Sequence, residues 1–170
     1  MTSHFINIFI EDTNWASSLA NAEKLAQKAS DAVFDNLYNN WDMPFLGDKP
    51  VVVNLSLSND KHIKELNKTY RKKDKPTNVL SFALIDDENF EQNCEIFDEI
   101  ELGDIIISID TLKKEAAEKN IKLEDHFTHL FIHGLLHLSG FDHIEDEEAE
   151  EMEALEIDIL SNLNINNPYE

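Results

Sequence analysis

Five of the seven histidines in this 170-residue chain lie between positions 126 and 143. On a helix that advances about 100° per residue, His133 and His137 project from one face, one turn apart. Gly140 follows the last apolar turn, where a positive φ can end the helix and direct His143 back toward the pair. Three imidazoles and a fourth position left to water are typical of catalytic zinc, whereas structural sites favour four protein ligands and cysteine. We therefore predict one zinc ion per chain, bound by His133, His137 and His143.

Two further histidines, His126 and His129, fall within about 80° of the same helix face. Either could replace a ligand, hydrogen bond to a ligand, or line the pocket, and we favour the hydrogen-bonding role. A lone histidine on an apolar helix is usually a core residue, but a His-x-x-x-His pair followed by glycine and a third histidine is less easily explained by packing.

The chemistry predicted for such a site is hydrolysis, because zinc on three neutral imidazoles lowers the pKa of bound water from about 15.7 to about 7. In zinc proteases the first histidine is followed by a glutamate that acts as general base. Here that position is Gly134. A glycine inside a helix costs about 1 kcal/mol relative to alanine, so we expect close approach of another backbone or of substrate.

The composition predicts a single domain over residues 1–170, because 42% apolar residues suffice for one core. The only cysteine, Cys94, agrees with a reducing compartment. The first fifteen residues lack a basic leader segment, and no apolar run reaches eighteen residues. We therefore expect a cytoplasmic protein with no membrane partner.

The net charge of −21 argues against a general nucleic-acid binder, since polyanions are repelled by acidic surfaces. The charges are segregated, however: seven of the fourteen basic residues lie between positions 61 and 75. Eight acids lie between positions 86 and 101, and ten between positions 142 and 158. On charge alone, the basic cluster is either a solvated face or a surface that faces phosphate.

The elements that must position these residues follow from apolar periodicity. Strands are predicted over residues 4–10, 51–58, 79–84 and 102–109, the first of them buried and the last central and covered on both faces. Helices are predicted over residues 14–38, from about 60 to the turn at 74–77, and over 110–119, 123–138 and 145–163, with no element over 86–99. The predicted class is α+β: a four-stranded, mostly parallel (mixed) sheet with about five helices.

Three segments resemble, in order and spacing, the YbeY family of single-strand-specific metallo-endoribonucleases. They are HGLLHLSGFDH over residues 133–143, LNKTYRKKDKPTNVLSF over 66–82 and LGDI over 102–105. Ala83 stands where the family often has proline, and Phe141 where it often has tyrosine. The resemblance implies a bacterial cytoplasmic enzyme that matures the 3′ end of small-subunit ribosomal RNA and acts in ribosome quality control. Its implied partners are single-stranded RNA and the small ribosomal subunit.

The resemblance also implies roles for individual residues. It makes His133, His137 and His143 zinc ligands and places Arg71 at the scissile phosphate. A guanidinium offers bidentate donors to phosphate oxygens, although without the motif an exposed surface arginine would be the ordinary interpretation. Asp142 either orients an imidazole or caps a helix. General attraction of RNA is assigned to the neighbouring lysines, Lys68, Lys72, Lys73 and Lys75.

Two other functions remain open from the residues. A zincin-type metallopeptidase would need a general base from outside the helix, such as Asp104. A non-catalytic ribosome-assembly factor would use zinc only structurally. If the chain is the ribonuclease, we expect the acidic segments 86–101 and 142–158 not to touch RNA and to exclude duplex RNA by repulsion, while a single strand reaches the metal.

Overall fold

The computed structural model of the chain describes residues 3–43, 45, 47–142 and 144–170. It is a single α+β domain, as predicted. The strands are β1 (His4–Ile10), β2 (Val51–Ser58), β3 (Val79–Ala83) and β4 (Ile100–Ser108). The helices are α1 (Asn14–Ser18), α2 (Ala22–Asn40), α3 (Asp60–Arg71), α4 (Phe90–Ile96), α5 (Ile109–Lys119), α6 (Leu123–Leu138) and α7 (Asp146–Asn162). Among these described helices, none is both long enough and apolar enough to cross a membrane.

The four strands form one mixed sheet in the order β1-β2-β4-β3. β1 pairs with β2 and β2 with β4 in parallel, whereas β3 runs antiparallel to β4. Alternate residues of β4 face opposite sides: Ile105 belongs to the main core with α2 and α6, and Ile106 packs with Ile63 of α3. The sheet is therefore mostly parallel, and β4 is central and covered on both faces, as its nearly continuous apolar sequence predicted.

The first strand differs from its prediction, because β1 lies at the edge of the sheet. Phe5, Phe9 and Ile10 are more than half exposed, and only alternate positions such as Ile6 and Ile8 pack on the core. The prediction of a buried strand was therefore wrong. A run of aromatic and β-branched residues indicates a strand but does not show how many of its faces are covered.

The predicted helix over residues 14–38 is broken into α1 and α2. The chain turns at Leu19, whose backbone N–H donates to the carbonyl of Trp15 and whose own carbonyl accepts from Ala22. Seven apolar residues that follow one another at steps of three or four predict the buried face of this helix, and all seven are buried. These are Trp15, Leu19, Ala22, Ala26, Ala29, Val33 and Leu37.

The segment 86–99, predicted to lack regular structure, contains the short helix α4. Phe90 buries its ring in the core. Lys49 donates from Nζ to the carbonyls of Cys94 (2.6 Å), Glu95 (3.2 Å) and Phe97 (2.9 Å). A cation at the carboxyl end of a helix satisfies carbonyls that have no partner within it. The prediction was wrong because this stabilisation comes from a residue about forty-five positions away.

Two glycines let the elements around α6 approach one another. A Cβ on Gly134 would lie 3.0–3.2 Å from side-chain atoms of Ile105. The expected close approach is therefore to a side chain of β4, and not to another backbone or to substrate. Gly103 has φ +135°, and a Cβ there would lie 2.0 Å from the carbonyl oxygen of Phe82. β3, β4 and α6 are thus packed directly against one another.

Candidate active site

His133 and His137 are half-buried on α6, with their Nε2 atoms 3.0 Å apart. Each Nδ1 atom has an acceptor: His133 Nδ1 lies 2.6 Å from Glu156 Oε1, and His137 Nδ1 lies 3.1 Å from the carbonyl oxygen of Phe141. A carbonyl and a carboxylate accept but do not donate, so both Nδ1 atoms carry the hydrogen and both Nε2 lone pairs face a common point. This arrangement suits a shared cation.

Gly140 ends the helix after this pair, with φ +105°. Its N–H donates to the carbonyl of His137, and the Phe141 N–H donates to the carbonyl of Leu136. The predicted reversal of the chain at Gly140 is therefore present. The third predicted ligand, His143, lies outside the described residues.

Glu156 of α7 is fully buried and is the polar centre behind the imidazoles. Its Oε1 atom contacts His133, as given above, and lies 3.6 Å from His129 Nε2. Its Oε2 atom accepts a short hydrogen bond from the hydroxyl of Tyr169. Burial alone raises the pKa of Glu156, but the donors around it, His129 and His133 first, outweigh burial and lower the pKa to about 2. Burial and the neighbouring carboxylate together raise the pKa of Tyr169 above its ordinary value.

The other two histidines of α6 lie behind the pair. His129 is buried, its Nε2 atom 3.4 Å from the Tyr169 hydroxyl and its ring edge-on to the tyrosine ring. His126 Nε2 lies 2.9 Å from Glu115 Oε1, which also accepts from Asn78 Nδ2. Burial lowers the pKa of His126, although hydrogen bonding to Glu115 opposes this. His126 thus joins α6 to α5 and to the start of β3.

Arg71, the single arginine of the chain, lies at the last position of α3. Its Nη2 atom donates to the Ser81 carbonyl at 2.9 Å, and its guanidinium lies 5.5 Å from the centroid of the Phe82 ring. The Tyr70 ring packs edge-on against that of Phe82. The spacing of Ile63, Leu66 and Tyr70 along this helix predicts that all three face inward, but Tyr70 is 65% exposed, so that prediction was wrong for it. Arg71 is exposed but held against β3.

The imidazole pair and the cationic segment share one pocket of about 850 Å³. Its lining includes Arg71, Lys73 and Lys75 as well as His133 and His137. The other two lysines predicted to attract substrate, Lys68 and Lys72, are exposed outside this lining. Carboxylates line the same pocket, at Asp86, Asp104 and Asp142.

Chemically, this pocket offers two imidazole nitrogens, a guanidinium and two ammonium groups around one open space. Positive groups arranged in this way suit a substrate that carries phosphate, because a cation at the imidazoles and the fork of Arg71 can contact different oxygens of one phosphoryl group. The pocket therefore suits a substrate that carries phosphate, and the class of protein that fold and pocket define is an α+β phosphate-binding protein.

Comparison with known proteins agrees with that class. The sequence model of the family described as Endoribonuclease YbeY matches residues 9–164. A relative from Agrobacterium fabrum with that name is 42% identical over 164 residues, which cover 96% of this chain and 94% of the relative. One from Sinorhizobium fredii, with the same name, is 41% identical over 169 residues, 99% of this chain and 94% of the relative. A protein of Thermotoga maritima, known from its solution structure, has a TM-score of 0.55 and 27% identity, with 94% of this chain and 92% of that chain covered.

The chain therefore belongs to the endoribonuclease YbeY family, as the resemblance of its motifs predicted. The family assignment makes it a nuclease, a hydrolase that acts on RNA.

The sequence prediction did not include two residues of this site. Glu156 was counted within the acidic run of residues 142–158, although it lies four residues after Met152 and three before Ile159, on the buried face of α7. That position is the signal that identifies it, since a charged residue on an apolar stripe needs a buried partner. Tyr169 follows α7 and gave no comparable signal.

Proposed function

We propose that this chain is a zinc-dependent, single-strand-specific endoribonuclease of the cytoplasm. Its proposed roles are maturation of the 3′ end of small-subunit ribosomal RNA and quality control of ribosomes, with the small subunit as partner. The observation that carries the proposal is the pocket in which the paired Nε2 atoms of His133 and His137 lie beside the guanidinium of Arg71.

The imidazole pair fits zinc in geometry and in donor chemistry. Tetrahedral zinc with Zn–N distances of 2.0–2.1 Å places two ligating nitrogens about 3.3–3.4 Å apart, close to the 3.0 Å between these Nε2 atoms. Neutral imidazoles with Nδ1 bonded to an acceptor are typical zinc ligands. His143 is the proposed third ligand, and one zinc per chain is the proposed content. When bound, zinc supplies Lewis acidity and an activated nucleophile at neutral pH.

The chain's own residues would then divide the work on the phosphodiester. Arg71 presents a planar fork of donors to the non-bridging oxygens, where negative charge gathers as the bond breaks. Its contacts with Ser81 and Phe82 leave the guanidinium little freedom to turn away. Lys73 and Lys75 attract the phosphate backbone of the RNA as point charges. Lys68 and Lys72, farther from the pocket, would contribute only to general attraction.

Preference for a single strand follows from the charges that border the pocket. Asp86 and Asp142, one from each acidic segment, line it together with the cations. A duplex is wide and carries two backbones, so it would bring phosphate against both kinds of charge. A single strand can bend between the carboxylates, follow the cations and place one phosphate at the imidazoles.

The test incubates purified protein with a labelled single-stranded RNA, with a perfect duplex of the same sequence and with casein. Each reaction is run with zinc and with a chelator, and His133→Ala is the matched inactive control. We expect cleavage of the single strand only, its loss with chelator and in His133→Ala, and intact casein. Comparable cleavage of the duplex would contradict the single-strand preference.

The remaining outcomes separate the alternatives. Cleavage of casein, with intact RNA, would favour a metallopeptidase that uses the pocket carboxylate Asp104 as base. Retained zinc without cleavage of any substrate would favour an assembly factor. Undiminished RNA cleavage in the chelator would exclude a metal-dependent mechanism.

A further inference from the structure

We propose that Glu156 is a positioning residue of this site, which holds His133 with its hydrogen on Nδ1 and its Nε2 lone pair toward the metal, and that the hydroxyl of Tyr169 keeps the carboxylate in place. The inference rests on the proposed function, because it concerns the proposed zinc ligand His133. It assigns to α7 and to the segment that follows it a direct influence on metal affinity.

The first step is the bond between Glu156 and His133. The two atoms, Oε1 and Nδ1, lie 2.6 Å apart, and the carboxylate is fully buried. A charged acceptor makes a shorter and stronger hydrogen bond than a neutral one. The carboxylate therefore fixes both the tautomer and the rotation of the ring, and it increases the electron density at Nε2.

The second step is the difference between the two imidazoles. His137 donates from Nδ1 to the carbonyl of Phe141 at 3.1 Å, a neutral acceptor on the neighbouring turn of chain. His133 instead donates to a full negative charge that comes from a different helix. The geometry therefore makes the Nε2 atom of His133 the stronger electron-pair donor to the metal. It also makes the orientation of the His133 ring depend on the packing of α7 against α6.

The third step is the second oxygen of the carboxylate. Tyr169 donates its hydroxyl hydrogen to Oε2, and its ring packs edge-on against His129 with the ring centroids 5.6 Å apart. With His133 bonded to Oε1 and Tyr169 bonded to Oε2, the carboxylate plane is fixed, and Oε1 remains directed at His133. Tyr169 thus acts on the site through Glu156.

A purely structural role explains Glu156 less well. It lies on the apolar stripe of α7 between Leu155 and Ile159, where an apolar residue would pack without removing a charge from water. Replacement of buried charged groups by apolar residues of similar volume is often neutral or stabilising. A carboxylate at this position therefore calls for an explanation other than stability, and orientation of His133 supplies one.

The test compares the full-length wild type with Glu156→Gln, which keeps the shape of the side chain but removes its charge. Glu151→Gln is the matched control, because Glu151 lies on the same helix and is exposed. Zinc dissociation constants are measured by competition with a chelator of known affinity. We expect zinc binding to weaken by about 10- to 100-fold in Glu156→Gln and to stay unchanged in Glu151→Gln. Tyr169→Phe should weaken it less, by roughly 2- to 10-fold.

A second measurement is made on wild type and repeated on Glu156→Gln. Correlation of the imidazole ¹H and ¹⁵N nuclei of zinc-loaded wild type reports which nitrogen of His133 carries the hydrogen. We expect a protonated Nδ1 whose resonance lies downfield because of its bond to the carboxylate, and an upfield shift of that resonance in folded Glu156→Gln. A deprotonated Nδ1 in wild type, or equal zinc affinity in wild type and Glu156→Gln, would overturn the inference.

The outcomes also distinguish this inference from the proposed function. Wild type that binds zinc through His133 and cleaves RNA, beside a Glu156→Gln variant of equal affinity, overturns only the positioning role. Wild type that binds no zinc, or binds it equally well after His133→Ala, overturns both. If Glu156→Gln fails to fold, the wild-type spectrum decides the question: the Nδ1–H resonance of His133 should lie downfield of that of His137, and equal positions would overturn the inference.

Discussion

The two sides of the pocket are built differently. On the imidazole side, His133 and His137 project from a helix packed on β4, and interior acceptors direct their rings. On the cationic side, Arg71, Lys73 and Lys75 are exposed, and Arg71 is held on β3 by its contacts with Ser81 and Phe82. The imidazole rings, which must be oriented accurately, are held by residues of the core. The cationic groups, which need only lie close to the substrate, are placed on the surface. Variants on the two sides should therefore fail in different ways.

The largest effect is expected where the imidazole side meets the sheet. Gly103→Ala places a Cβ 2.0 Å from the Phe82 carbonyl oxygen, at a φ of +135°. Strain and overlap together should lower the free energy of unfolding by about 3 kcal/mol or more. Denaturant unfolding monitored by circular dichroism would measure it.

Two other glycines calibrate this effect. Gly134→Ala should lower the free energy of unfolding less, because its Cβ meets side-chain atoms of Ile105 and not a backbone atom. The higher helix propensity of alanine also contributes about 1 kcal/mol of stability. At Gly47 a Cβ meets no atom of the described residues within 4 Å, so Gly47→Ala should be nearly neutral. If Gly103→Ala unfolds like Gly47→Ala, the close packing of β3 against β4 is not a structural requirement.

The second largest effect is expected at Arg71, the cation of the pocket that is held on β3. Arg71→Lys keeps the charge but loses the planar fork, so the single-turnover rate at saturating RNA should fall by about 10²-fold or more. Zinc content and RNA affinity should stay nearly unchanged. Lys61→Ala, which changes an exposed residue of the same helix, is the control and should cleave at the wild-type rate. A wild-type rate in Arg71→Lys would assign this residue to binding alone.

A smaller effect is expected from the lysines of the pocket. Replacing Lys73 and Lys75 together by alanine should weaken RNA binding and reduce the slope of log affinity against log salt by about 1.4, since each contact with a single strand contributes about 0.7. The saturated rate should change little. The matched control replaces Lys113 and Lys114, exposed on α5, and should leave the slope as in wild type. If both double variants show the same slope of log affinity against log salt, the pocket lysines do not contact the phosphate backbone of the RNA.

The smallest effect concerns the pH dependence of stability on the imidazole side. Burial lowers the pKa of His126 in the folded chain, so the unfolded chain binds this proton more readily once the pH falls below about 6.5. The stabilisation is complete above that pH and is lost as the pH decreases. In His126→Gln, unfolding free energy should therefore decline less between pH 7.5 and pH 5.5 than in wild type. If the free energy of unfolding declines equally in both proteins, His126 is not a buried neutral imidazole in the folded chain.

The sequence predicted best what depends on local pattern. The bounds of α6, 123–138, were predicted correctly, because a long apolar period and Gly140 define them. The break between α1 and α2 and the helix α4 were missed, since each depends on bonds or packing outside the local pattern. The antiparallel placement of β3 beside β4 was not predicted either. Pairing of distant strands is decided by the whole core, which no short segment encodes.

The candidate site divides in the same way. The four-residue spacing predicted that His133 and His137 share one face of a helix, and the family motif identified Arg71. The sequence could not show which of the four lysines line the pocket, because all four are exposed and carry the same charge. Glu156 was hidden in an acidic run, although its place on an apolar stripe distinguishes it.

The parallel pairing of the sheet also governs how quickly the pocket can form. His4 pairs with Val51 and Leu55 with Ile105, so each parallel ladder joins residues about fifty positions apart in the chain. Closing such long loops costs chain entropy before any ladder bond repays it. Folding should therefore be slower than that of helical bundles, as for other domains that mix helices with a sheet of distant strands. Until β4 is paired at the centre of the sheet, a newly made chain has no surface on which α6 can pack, so its histidines cannot be positioned.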